Sequence, residues 1–417
     1  MPRTKPQSTV ETVTSTKATA KKPAAKAATK KVVVSAASRE INFAIVGCGA
    51  IGPWHAGAIA RVEGARLAAV VDLQRERAEK AAAAYQGHLK EWGIAKTDKS
   101  APKIYTDVKR MLARPEIDVV CVCVPSGDHA KIALLAARAG KHIITEKPLE
   151  ITLEKMDAMI EAARENNVKL AAIFQRRFFT NAQRIKQGIE SGKFGKLLQI
   201  DGAVKWYRSQ EYYDSGDWRG TWELDGGGAV MNQGVHGVDL MQWFGGPVAW
   251  VQSWCGTVDR KNLDVETQAI AIIGFKSGAH GSFLGSTICY PGEAVTNQVW
   301  GAKGAAELSD THLARWKFLK ETKADREMMD SANDAGLVEQ SDPRAALGGV
   351  GDMHYPQIKD MCDAIRENRD PICTGADARH AVEIILAIYE SARRGGERIR
   401  LPLAGDFEAK GFPKKDV

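Results

Sequence analysis

Between residues 41 and 173, short apolar runs alternate with segments of helical period. The runs at 41–46, 67–71, 118–124, 142–145 and 168–173 have the length of buried strands, and the Ala-rich stretches at 74–85, 127–139 and 152–166 read as helices. Strand and helix in alternation predict an α/β unit with a doubly wound parallel sheet, because parallel neighbours need a crossover between them. Residues 87–103 break the rhythm with a polar segment of no clear period, expected to be a loop insertion. Beyond Phe174, longer runs at 197–207, 248–258, 265–275 and 279–289 follow one another with few helical segments. Residues alternate along Ala269-Ile-Ala-Ile-Ile-Gly-Phe275, which predicts a large open, mostly antiparallel sheet with one face buried. The charged, Gly-rich stretch at 320–350 is expected to be a long excursion, and two amphipathic helices at 354–368 and 376–394 close the chain. The pattern divides the chain into a tail at 1–40, a first domain at 41–173 and a second at 174–417.

At 417 residues the chain has material for two domains and a sizeable core. Its net charge of +7 is unevenly placed: residues 1–40 hold nine Lys and Arg against Glu11 and Glu40, leaving 49 of each sign in the rest. The tail is rich in Lys, Ala, Thr, Ser and Pro and has no aromatic residue. It is expected to be disordered, and only this tail hints at a polyanion, so nucleic acid is not an expected partner. No apolar stretch is long enough to span a bilayer and no secretory pattern opens the chain, which points to the cytoplasm. The seven cysteines are odd in number and several sit in apolar runs, as thiols do in a reducing compartment. Cys121 and Cys123 are expected to point apart on a strand, and no Cys/His cluster has metal-ligand spacing, so no metal is expected.

The run at 41–46 ends in Gly47-Cys48-Gly49-Ala50-Ile51-Gly52. Gly47 permits a tight turn, Gly49 lets backbone approach a pyrophosphate, and Gly52 lets the next helix sit close to the strand, with Ala50 and Ile51 at its N-terminus facing the phosphates. The run at 67–71 ends at Asp72, where an acid accepts hydrogen bonds from ribose hydroxyls and repels a 2′-phosphate. The expected cofactor is therefore NAD rather than NADP. Glu146-Lys147-Pro148 follows the run at 142–145, at the carboxyl edge where such sheets bind ligands. Farther on, Asp225 and three glycines lead into a helical pattern that places Asn232, His236 and Asp239 on one face, toward a cleft or a buried polar network. A core histidine satisfied by Asp239 is the other reading. Between these motifs lie Trp206-Tyr207-Arg208, Tyr212-Tyr213, Trp218-Arg219 and Trp222, rings for the C–H faces of pyranoses and arginines for hydroxyls, carboxylate or phosphate. Packing at an oligomer interface or lid would use the same residues.

These motifs, with His55 after the glycine turn and Pro125 and His129 after the run at 118–124, resemble the Gfo/Idh/MocA family of nicotinamide-dependent oxidoreductases from Asn42 to about Leu403. The resemblance implies a Rossmann domain, a second α/β domain with a large open sheet, a substrate cleft between them, and homodimers or homotetramers. It implies Lys147 and His236 as the catalytic pair, Pro125, His129 and Glu146 near the cofactor, a cis bond at Lys147-Pro148, and Arg176 on the cleft wall. Asn232 stands where many members carry Asp, and an amide holds no charge beside the imidazole. The expected activity is NAD-dependent oxidation of a secondary hydroxyl on a sugar, glycoside, cyclitol or nucleotide sugar. His236 would be the base with a pKa near ~6.5, Lys147 the electrostatic stabiliser, and Asn232 their neighbour. The residues leave open an exchange of those two roles, a reductase, a redox-assisted glycoside-cleaving enzyme, and a non-catalytic dinucleotide-binding regulator. Asp377, near Arg379 and His380, is expected to cap the last helix.

Overall fold

The structure, a computed structural model, describes residues 39–96, 100–332 and 353–404. The basic tail up to residue 38 and most of the expected excursion at 320–350 lie outside the described residues.

The first sheet contains β1 (Ile41–Val46), β2 (Ala65–Val71), β3 (Lys103–Tyr105), β4 (Val119–Val122), β5 (His142–Thr145) and β6 (Leu170–Ala172), all parallel, in the order β3-β2-β1-β4-β5-β6. Helices α1 (Gly52–Arg61), α2 (Arg75–Glu91), α3 (Val108–Leu112), α4 (His129–Arg138) and α5 (Leu153–Glu165) connect the strands. Alternate residues feed two apolar clusters: Phe43, Ile45 and Val119 pack with α1 and α2, while Ala44, Val46, Val120 and Val122 pack with α4 and α5. The strand order reverses between β1 and β4, and the glycine turn opens there. The segment expected as a loop insertion is partly ordered: α2 continues through Gly87 to Glu91, and Lys103–Tyr105 pairs with β2 as the edge strand. Three residues carry too little periodicity to announce a strand. Cys121 and Cys123 do not point apart; both join the cluster beside α1, as residues two apart on an extended chain must.

The second sheet is eight-stranded. After α6 (Thr180–Glu190) come β7 (Leu197–Lys205), α7 (Gln210–Asp214), a π-helical turn at Ala229–Gly234, and α8 (Val235–Gly245). Then follow β8 (Val248–Gly256), β9 (Gln268–Phe275), β10 (His280–Ser286), β11 (Thr296–Gly301), β12 (Gly304–Ser309), β13 (His312–Phe318), α9 (Lys323–Ala332), α10 (Tyr355–Glu367), α11 (Gly375–Arg393) and β14 (Ile399–Arg400). The order is β13-β12-β11-β7-β10-β9-β8-β14, with only β7 and β10 parallel. Ala269, Ala271 and Ile273 are buried on the face that α8 and α11 cover, whereas Ile270 and Ile272 are 48% and 52% exposed on the other. Strands β11 to β13 and helix α9 were not anticipated, since polar residues interrupt each of them. Helix α10 returns to the first sheet and packs Tyr355, Ile358, Met361 and Cys362 into the cluster around α1. Thr374 and Asp377 form a capping box at the start of α11, the role expected of Asp377. Among the described residues no helix is long and apolar enough to cross a membrane.

Candidate active site

Backbone builds the dinucleotide side. Gly47 has φ +93°, and a Cβ there would lie 2.5 Å from the Cys123 carbonyl oxygen, so the turn after β1 closes against β4 only with glycine. At Gly49 a Cβ would meet nothing within 4 Å, which leaves an open face above the turn for a pyrophosphate. Gly52 begins α1, and Pro53 follows in the first turn, where a missing N–H disturbs no helical bond. Asp72 accepts from the Cys48 amide (Oδ2, 2.8 Å) and the Gln74 amide (Oδ1, 2.8 Å), which fixes its carboxylate beside the turn with lone pairs to spare. The open turn, the helix N-terminus and the anchored acid fit a dinucleotide with free ribose hydroxyls.

The second element is a wide turn feeding α8. Gly226, Gly227 and Gly228 press on the protein itself: a Cβ on Gly228 would sit 1.9 Å from the Glu266 carbonyl oxygen. The Glu266 carboxylate accepts from the amides of Gly228 (2.9 Å) and Val230 (2.8 Å) and from the Tyr389 hydroxyl (2.8 Å), clamping the π turn in place. Burial raises Glu266 to about 7 in spite of these donors. On this turn the Asn232 carbonyl accepts from Lys147 Nζ at 2.8 Å, joining the end of β5 to the start of α8. The Lys147–Pro148 bond is cis.

Lys147, His236, Arg176, Arg208 and Arg219 are all half-buried. Burial lowers the Lys147 pKa, and the charges of Arg219 and Arg208 push the same way against Glu146 and Asp225. Burial, then the Lys147 ammonium and the Arg176 guanidinium, holds His236 well below its usual value, in contrast to the unshifted imidazole expected from sequence. His236 Nδ1 is buried without a hydrogen-bond partner among the described residues, and the ring meets Phe174 edge-on at 6.2 Å. Asp225 is raised to about 6 by burial, against the Gly220 amide, Asn232 and Lys147.

The expected stripe of Asn232, His236 and Asp239 does not form. A π turn carries more residues per turn than an α-helix, so Asn232, inside it, is rotated off the face that His236 takes on α8. The Asn232 amide donates to Asp225 Oδ1 (2.5 Å) and its oxygen accepts from Gln233 Nε2 (2.8 Å), so its link to the pair runs through backbone. Asp239 is not a cleft residue. It is 1% exposed and bonded in two-pronged fashion to Arg177 (2.8 and 2.7 Å), which also removes it as the satisfier of His236. His129, expected near the cofactor, is enclosed: its ring lies between the Val124 carbonyl (3.0 Å) and those of Pro148 (2.9 Å) and Leu149 (3.2 Å), tying the end of β4 to the segment after Lys147. Pro125 precedes the short turn that leads into α4, at the carboxyl end of β4. Tyr207 is exposed and meets Tyr290 at 5.2 Å, while Trp218 lies under Arg219.

Glu146 is buried with two imidazoles. His55 Nε2 lies 2.8 Å and His354 Nε2 2.9 Å from the same oxygen, Oε1. Burial alone would raise this carboxyl; the two rings outweigh it and hold it well below the usual range. The expectation of no metal came from sequence spacing, yet the fold gathers these three metal-capable side chains with ligand atoms within 4.8 Å of one another. Both rings stand at hydrogen-bond distance from one oxygen, the geometry of N–H donors to a carboxylate.

Two family descriptions match the chain: "Oxidoreductase family, NAD-binding Rossmann fold" over residues 41–174 and "GFO/IDH/MocA C-terminal domain" over residues 182–307. The chain belongs to the Gfo/Idh/MocA family. This makes it an NAD-binding oxidoreductase with the two-sheet architecture described above. Among solved structures, the WlbA dehydrogenase from Bordetella pertussis, in complex with NADH and UDP-GlcNAcA, is 31% identical with a TM-score of 0.77, covering 88% of this chain and 99% of that one. The myo-inositol 2-dehydrogenase of Thermotoga maritima is 28% identical over 63% of this chain and 74% of its own length. The levoglucosan dehydrogenase of Pseudarthrobacter phenanthrenivorans is 26% identical over 69% and 81%.

Within this Gfo/Idh/MocA site, sequence reasoning passed over several groups. Gln233 is one: with Tyr212, read from sequence as a stacking ring, and Asp225, read as the start of the glycine turn, it ties Arg219, Arg208 and Asn232 into one network. Glu266 gave a usable signal, a single acid where an apolar strand begins. His354 gave none, standing 208 residues from its partner.

Proposed function

We propose that the chain is an NAD-dependent dehydrogenase that oxidises a secondary hydroxyl of a sugar, glycoside, cyclitol or nucleotide sugar, with residues 41–173 holding the dinucleotide and residues 174–417 supplying the substrate side. The observation that carries this reading is the meeting of Lys147, from the end of β5, with the turn that presents His236, through the 2.8 Å bond to the Asn232 carbonyl. The inositol and levoglucosan dehydrogenases and the WlbA complex with UDP-GlcNAcA support the substrate classes.

When bound, the nicotinamide ring supplies the acceptor for the hydride. Loss of hydride and proton builds negative charge on the carbinol oxygen, and the Lys147 ammonium stabilises that charge. His236 is neutral at neutral pH because burial and Lys147 hold its pKa down, so a lone pair is free to take the hydroxyl proton. As charge grows on the oxygen it offsets the ammonium's effect on the imidazole, and His236 becomes a stronger base along the reaction. Asn232 positions Lys147 through its carbonyl, and Glu266 holds the turn that carries Asn232. The outer face of the second sheet sets Trp254 opposite Ile270, both about half-exposed, which supports a homo-oligomer joined through this face.

A panel of sugars, inositols and UDP-sugars incubated with NAD tests the reading through absorbance of the reduced cofactor. Turnover that falls by about 10²-fold or more in Lys147→Ala and in His236→Ala is expected. Turnover surviving both substitutions contradicts the assignment.

A further inference from the structure

Arg208 and Arg219 lie within electrostatic reach of Lys147, and among the described residues neither forms an ion pair. Arg208 lies over the rings of Trp206 (5.1 Å) and Tyr212 (5.3 Å), and donates to the Tyr207 carbonyl (3.1 Å) and the Gln233 side-chain oxygen (3.4 Å). Arg219 lies over Tyr212 (4.5 Å) and Trp218 (4.7 Å) and donates to the Tyr212 hydroxyl (2.8 Å). Among the described residues neither guanidinium reaches a carboxylate within 4.0 Å. The carboxylates around them are engaged. Asp225 accepts from Asn232 and from the Gly220 amide, Asp310 pairs with Arg176, and Glu146 is held by two histidines.

Half-burying two cations next to a third raises the energy of the unliganded site, and aromatic faces return only part of that. A neutral polyol needs no such arrangement. Stacking instead fixes the guanidinium planes, and each bonds neutral protein acceptors with only part of its N–H fork, the geometry that suits an oxyanion. We infer that Arg208 and Arg219 receive an oxyanion of the substrate, a carboxylate on the sugar or a phosphate attached to it, so that acidic sugars are oxidised in preference to neutral sugars and cyclitols. The inference deepens the dehydrogenase reading and rests on it for the position of the reacting carbon.

The test compares matched probes on the full chain with NAD: glucose, glucuronate, UDP-glucose, UDP-glucuronate and myo-inositol. A carboxylate as the recognised group makes kcat/KM for glucuronate exceed that for glucose by about 10²-fold; a phosphate makes UDP-glucose exceed glucose by a similar factor. The acidic-to-neutral ratio drops by about tenfold in Arg208→Gln and in Arg219→Gln, and Arg208→Lys and Arg219→Lys restore part of it. Calorimetry on the NADH-loaded protein reads the same ratio in Kd without turnover. Arginine-dependent binding of the acidic probe with no oxidation of any compound upholds the oxyanion subsite while the dehydrogenase reading fails. Equal constants for acidic and neutral probes, or a preference that survives both Gln substitutions, overturn the inference.

Discussion

The turn after β1 and the turn before α8 are both rich in glycine, yet glycine serves opposite ends in them. At Gly49 a side chain would point into empty space, whereas at Gly228 it would strike the Glu266 carbonyl oxygen at 1.9 Å. The first turn keeps room for a ligand; the second uses up all its room on protein, to hold a wide π turn against Glu266 and Tyr389. The difference teaches that a glycine's role follows from what a Cβ would meet rather than from the motif that contains it.

That contrast is broken most forcefully at Gly228. Gly228→Ala is expected to cost about 3 kcal/mol of stability or more, read as a fall in the urea midpoint, because neither backbone can yield without moving the turn. An unchanged midpoint would show that the turn is loose.

Glu266→Gln comes next. Its amide would face the N–H of Gly228 or Val230, so a loss of about 2 kcal/mol is expected at pH 5, together with lower kcat as Lys147 loses the Asn232 carbonyl. The pH dependence sharpens the point. With a folded value of about 7 against an ordinary 4.5, Glu266 holds a proton in the folded state that the unfolded chain has released. Wild-type stability therefore falls as pH rises from 4.5 through 7, by up to about 3 kcal/mol from this group. Asp225, raised to about 6, adds to the fall in both proteins. Urea titrations across that window should show a shallower decline in Glu266→Gln, with the gap of about 2 kcal/mol at pH 5 closed by pH 8; parallel curves would remove the titration from Glu266.

Gly49→Ala tests the opposite turn. Its stability should match wild type while the Kd for NADH rises by about tenfold, since the new methyl occupies only ligand space. A loss of stability with unchanged affinity would reverse the roles given to the two turns. The smallest effect is expected at Asp72: Asp72→Asn should narrow the preference for NAD over NADP by several-fold in kcat/KM, with a fall of a few degrees in melting temperature, about 1 kcal/mol, because its amide faces the partly exposed N–H of Cys48 or Gln74.

Much of this was legible along the chain. The alternation from Ile41 to Ile173 announces the parallel sheet, and Gly47 to Asp72 announces its ligand, because local spacing alone sets both. Lys147 and His236 were marked by their surroundings in sequence, and the fold brings their segments together. What stayed hidden depends on distant partners. Arg176 and Arg177 are neighbours in sequence, but one is half-buried, paired with Asp310 and within electrostatic reach of His236, and the other is sealed against Asp239, 62 residues away. An α-helical reading of 229–234 predicted a shared stripe; the π turn clamped by Glu266 takes Asn232 out of it, and the pairing with Arg177 takes Asp239. Strands β11 to β13 were missed because their alternation is short and diluted by polar residues.

The central claim is that the Lys147 ammonium and the His236 imidazole act on one carbinol oxygen. A double-mutant cycle on kcat/KM, with Lys147→Ala, His236→Ala and the double variant assayed on the best sugar substrate, tests it most directly. Groups serving one atom fail as a unit, so the double variant should lose little more than the worse single variant. Losses that multiply independently would contradict the account.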